Sequence, residues 1–120
     1  MENIYRQPTN DEFELLNRML EVDFQGAKEL KHQLAGLLVK SLDKGIDNYD
    51  SIELKVSSGR SVKVEKRVPV VARAYDSDGT PIEVLLHVLN GQLNELEVIK
   101  FDGTPIVDRP KASEYIISLE

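Results

Sequence analysis

The segment Ile82-Glu83-Val84-Leu85-Leu86-His87-Val88-Leu89-Asn90-Gly91-Gln92-Leu93-Asn94-Glu95-Leu96-Glu97-Val98 decides the fold. Ile82, Val84, Leu86 and Val88 share one parity, so a strand places them on one face and Glu83, Leu85, His87 and Leu89 on the other. Asn90-Gly91 is a strong hairpin signal, because both residues tolerate the positive φ that a tight turn needs. A plain two-residue loop would set Leu86 opposite Glu95 and Val84 opposite Glu97, putting charge on the buried face. One extra residue, in a three-residue loop or a nearby bulge, pairs Leu86 with Leu96 and Val84 with Val98 instead. The second register is expected, and it sets His87 opposite Glu95 and Glu97 opposite Leu85. Apolar residues on both faces make Ile82 to Leu89 a central strand, with Leu93 to Phe101 returning beside it.

Upstream, Val62, Val64, Val68, Val70, Ala72 and Ala74 lie on one parity, with Pro69 marking an edge or bulge because it cannot donate a ladder hydrogen bond. Ile52, Leu54 and Val56 alternate with Glu53 and Lys55, and Leu38 to Leu42 is a further short strand. The two are separated by turn chemistry at residues 44–50. Downstream, Glu114 to Leu119 is a weaker final strand or a frayed tail. The pentapeptide Asp78-Gly79-Thr80-Pro81-Ile82 recurs as Asp102-Gly103-Thr104-Pro105-Ile106. Two similar strand-entry turns explain this better than calcium loops, which need a bidentate Glu and a longer ligand spacing.

Before the strands the period is helical. Thr9-Asn10-Asp11-Glu12 fits a capping box, followed by Phe13, Leu16, Met19 and Leu20 at helical spacing. A second helix fits Gly26 to Ala35 through Ala27, Leu30 and Leu34. The expected fold is one α+β domain over residues 1–120: an N-terminal helical hairpin packed on a twisted antiparallel sheet of about five strands. Leu16, Leu20, Leu30, Leu34, Leu54, Val84, Leu86, Val88, Leu96 and Val98 should form its core.

The chain has 120 residues, 41% apolar and 30% charged, which is a globular composition with room for one core. It has no cysteine, so disulfides and thiolate chemistry are excluded. Residues 1–10 are polar and no apolar run approaches the length of a membrane span, so a cytoplasmic protein with no membrane contact is expected. No phosphate-binding glycine loop, paired metal-ligand histidines or serine nucleophile elbow is present. The chain is therefore read as a non-enzyme with no cofactor and no metal. An acid–base pair of His87 and Glu95, with Glu97 near, is the alternative that would make it an enzyme.

The net charge of −6 is unevenly spread. Residues 1–54 carry −5, residues 55–73 carry +5 and residues 74–120 carry −6. The cationic stretch, with Lys63 and Arg67 at its centre, reads as a basic hairpin. Such a hairpin could contact nucleic acid, though no aromatic residue lies within it as a stacking platform. Its simpler role is an edge guarded against aggregation.

The segments Arg67-Val68-Pro69-Val70, Asp76 to Gly79, Leu85-Leu86-His87-Val88, Gly91, Leu93 and Glu95-Leu96-Glu97, with Asp23-Phe24-Gln25-Gly26 before them, resemble a family of small bacterial proteins carrying a domain of unknown function. The likeness runs from about Phe13 to Ile106. It implies a bacterial, cytoplasmic, single-domain protein and carries over no catalytic residue. Small size, acidic surface and missing active-site chemistry together suggest a protein-binding module. The expected partner is another protein, and a basic toxin or nuclease masked by an acidic inhibitor (immunity) protein fits the charge. His87, Glu95, Glu97, Lys63 and Arg67 are its candidate contact residues. The pattern leaves the oligomeric state undetermined, with an exposed strand edge open to a second copy.

Overall fold

A computed structural model describes residues 4–42 and 51–120. The chain runs as α1 (Asn10–Met19), α2 (Ala27–His32), β1 (Leu38–Ser41), β2 (Ile52–Lys55), β3 (Val70–Tyr75), β4 (Pro81–Leu89), β5 (Gln92–Lys100) and β6 (Ile116–Leu119), with one 3-10 turn at Ala112–Glu114. The expected turn at residues 44–50 lies outside the described residues.

The capping box forms as read. The Thr9 side chain accepts from the Glu12 N–H, and the Glu12 carboxylate accepts from the Thr9 N–H. Both helices are short. α2 ends at His32 because residues 33–36 turn the chain towards β1. The pair is therefore not a long helical hairpin: α1 packs on β3 and on the turn at Ala112–Glu114.

All strand pairings are antiparallel, in the order β1-β2-β5-β4-β3-β6. The sheet has six strands rather than five, because the weak C-terminal segment pairs with β3 in full register. β4 is central, as its two apolar faces require. The β4–β5 register matches the hydrophobic argument: Leu86 pairs with Leu96, Val84 with Val98, His87 with Glu95 and Leu85 with Glu97. The extra residue is a bulge at Asn94, while the turn itself is the two-residue Asn90-Gly91 with both φ positive. All ten expected core residues are buried.

The basic hairpin expected from the sequence is absent. Residues 55–73 do not form a hairpin. β5 and β4 stand between β2 and β3, so the connection crosses the end of the β4–β5 hairpin as an irregular strap. Only Val70 onward is strand, and Pro69 directly precedes it. Val62 and Val64 keep their inward parity by packing on the core without a ladder partner. The strap crosses Gly91 closely: the Val62 N–H donates to the Gly91 carbonyl at 2.9 Å. A Cβ at Gly91 would lie 2.6 Å from the Val62 backbone.

Candidate functional site

The alternation of β2 to β5 turns Ile52, Leu54, Val84, Leu86, Leu96 and Val98 towards the helices. Glu53, Glu83, Leu85, His87, Glu95 and Glu97 therefore share the opposite face. Pairing lines them up across strands. Lys40, Glu53, Glu95 and His87 form one row, and Ile99, Glu83, Arg73 and Ile116 form another. The centre of this face, on β4 and β5, is acidic. Cations stand at its rims, with Lys40 and Lys55 over the Tyr5 ring on one side and Arg67 and Arg73 on the other.

His87 is the hub of the cluster. Its Nε2 lies 2.8 Å from Glu97 Oε1, and Arg67 Nε donates to its Nδ1 at 3.2 Å. A guanidinium has only donors, so Nδ1 must be the acceptor and Nε2 carries the proton given to Glu97. The carboxylate that meets Nε2 is thus the diagonal Glu97, while Glu95 stands directly opposite in the ladder. Both ring nitrogens are engaged, and the His87 and Glu97 side chains are partly buried. The sequence reading set His87 with Glu95, which does stand opposite it in the ladder, and the structure adds the contact with Glu97.

Of the sequence-predicted residues, His87, Glu97 and Arg67 meet, and Glu95 lies beside them in the cross-strand row. Lys63 does not join them. It borders a separate cavity of about 520 Å³ with Gly26, Glu29, His32 and Arg60. The basic stretch is thereby dispersed: Lys55 sits over Tyr5, Arg67 on His87, Arg73 on Glu83 at 2.7 Å, and Lys66 on the Glu120 carbonyl.

The twin Asp-Gly-Thr-Pro turns form a second polar cluster. Asp78 accepts from the Thr80 N–H, and Asp102 accepts from the Thr104 N–H in the same way. The Thr80 hydroxyl donates to Asp102 across the pair. Lys100, almost wholly buried, reaches Asp76 at 2.8 Å and Asp78 at 2.7 Å. Burial pushes the Asp76 carboxyl up, but Lys100 and the N–H groups of Val107, Asp108 and Ser77 outweigh it and hold it far below the usual carboxylate range. Burial likewise opposes the Lys100 charge, and its two carboxylate partners raise it overall. An ammonium thus occupies the place a metal would need between these carboxylates. Among the described residues, no group of three or more His, Asp or Glu side chains could hold a metal ion.

Sequence reasoning missed Gln33, which is fully buried. Its amide nitrogen donates to the Arg60 and Gly91 carbonyls, and its oxygen accepts from the Leu93 N–H at 2.9 Å. Three distant segments are tied by one amide. A lone Gln in an amphipathic stretch carries no signal of this.

A family model described as a domain of unknown function (DUF6984) matches residues 5–110. No curated protein and no solved structure matches the chain. No described helix is long and apolar enough to cross a membrane.

Proposed function

The chain belongs to the DUF6984 family, and we propose that it is a protein-binding module that docks a basic partner on the uncovered face of its sheet. The observation that carries this reading is the placement of Glu95 and Glu97 beside His87 on the two central strands, with Glu83 further along the same face. A rigid sheet holds these side chains in fixed register, which favours recognition over mobile contact. Basic groups of a partner would meet the acidic centre, and the cationic rims would fix its orientation. A basic toxin or nuclease held inactive by this protein is the partner class that best fits, since masking requires surface complementarity and no chemistry. The dispersed cations of the strap offer nucleic acid no continuous ribbon.

The test compares tagged wild type with a Glu95→Lys/Glu97→Lys variant expressed in the native cell. Wild type should recover a basic protein in stoichiometric amount, and the variant should lose it while keeping its thermal midpoint within a few degrees. Equal recovery by both would place the partner elsewhere on the surface and overturn the reading.

A further inference from the structure

The two edges of the sheet are treated differently. In β1 the outward-facing backbone of Val39 is already paired: the Arg6 N–H donates to the Val39 carbonyl and the Arg6 carbonyl accepts from the Val39 N–H, both at 2.8 Å. β6 has no such cover. Glu120 N–H donates to Pro69 O, so in this antiparallel ladder Ser118 and Ile116 also face β3. Ile117 and Leu119 therefore turn their N–H and C=O groups outward, and no described residue bonds them. The strand Ile-Ile-Ser-Leu also lacks the Lys, Pro or bulge by which exposed edges are usually guarded. Ile116 is 73% exposed and Leu119 53% exposed. Beside them a groove of about 710 Å³ is lined by Tyr75, Pro81, Phe101, Ile116 and Ser118.

We propose that two copies of this chain pair antiparallel through β6, centred on Ser118, into one continuous twelve-stranded sheet. The edge is complementary to itself. With Ser118 opposite Ser118, each Ile117 meets the other copy's Leu119, so all four outward residues are hydrogen-bonded at once. The same register stacks two Ile117–Leu119 apolar pairs on the helix side and covers the exposed leucine. Small hydroxyls meet at the close, non-hydrogen-bonded position on the other side. Ile116 falls opposite Glu120, and no like charges within β6 face each other. The two-fold axis keeps both helix layers on one side and both acidic faces on the other, so the surface proposed for a basic partner stays open and is doubled.

Sedimentation equilibrium of the full chain at micromolar concentrations tests this. Wild type should sediment at twice the 13.6 kDa of one chain. Ser118→Lys and Ser118→Glu should each be monomeric, because like charges then meet at the centre, and an equimolar mixture of the two should recover the dimer. A wild type that stays at 13.6 kDa would overturn the proposal, as would one that pairs with a foreign strand in place of a second copy. So would a dimer that survives in both single variants. Should the charged variants fold poorly, Ser118→Cys gives a direct readout in this cysteine-free chain. The Cα separation of such a pair, about 4.5 Å, suits a disulfide. Mild oxidation should link Ser118→Cys copies much faster than copies of Val107→Cys on an exposed loop, and equal rates would refute the seam.

Discussion

Lys100 Nζ lies 2.8 Å from Asp76 Oδ2, with both side chains withdrawn from water at the meeting point of the twin turns. The pair joins the β3–β4 turn to the loop after β5, and Asp76 also anchors the Val107 and Asp108 amides. Asp76 therefore holds more than its cation. Asp76→Ala strands three backbone donors and leaves the buried ammonium with Asp78 as its one carboxylate, whereas Lys100→Met leaves the three donors still bonded. Urea denaturation should show both variants less stable than wild type, with Asp76→Ala clearly the worse.

The same cluster, together with the α1 cap, sets the acid limb of stability. The carboxyls of Asp76, Asp78, Asp102 and Glu12 all sit below their ordinary values. Each group with a depressed native pKa contributes stability that is complete above its unfolded value, about pH 4, and is lost as pH falls through the lower native value. Urea midpoints should be flat from neutral pH to about pH 5 and fall steeply below about pH 4. Asp76→Asn should start lower and flatten that limb. An unchanged slope in Asp76→Asn would show that the other carboxyls dominate it.

Glycine has different meanings at two turns. Gly91 has φ +75° and a Cβ there would sit 2.6 Å from the Val62 backbone, while Gly79 has φ +85° with open space around it. Gly79→Ala pays only for left-handed backbone, about 1 kcal/mol. Gly91→Ala pays that and must also displace the strap, so its loss should exceed about 2 kcal/mol. Equal losses by chemical denaturation would mean that the strap yields freely.

Gln33→Leu removes one buried amide that serves Arg60, Gly91 and Leu93. Stranding these groups should cost about 1–3 kcal/mol. Hydrogen exchange localises the effect: the Leu93 amide should lose protection by more than the global destabilisation explains. Uniform loss across the sheet would argue against a local staple.

The His87 tautomer follows from its two neighbours, Arg67 donating to Nδ1 and Glu97 accepting from Nε2. Long-range proton–nitrogen correlation at alkaline pH should show the Nε2–H form, and Arg67→Ala should mix in the other tautomer. An Nδ1–H form in the wild type would break the proposed orientation of the cluster.

Periodicity within a strand and between paired strands was legible from residue order. The parity of Ile82 to Val88 against Leu93 to Val98 forced an extra residue into the hairpin, because a single slip would bury Glu95 and Glu97, and the bulge at Asn94 supplies it. The Thr9–Glu12 cap was legible for the same local reason. Contacts between segments far apart in the chain were not. The valines at 62, 64, 68 and 70 show inward parity whether they pair in a ladder or drape over a core, so alternation could not separate a basic hairpin from a strap. His87 meets the diagonal Glu97 by side-chain reach, which register alone leaves open. Gln33 and Lys100 look like surface residues in sequence, and only packing brings carbonyls and carboxylates to them. Local pattern, driven by burial of apolar faces, determined the strands and their register. The order of strands in the sheet, the partners of buried polar groups and the face left uncovered were decided by long-range packing.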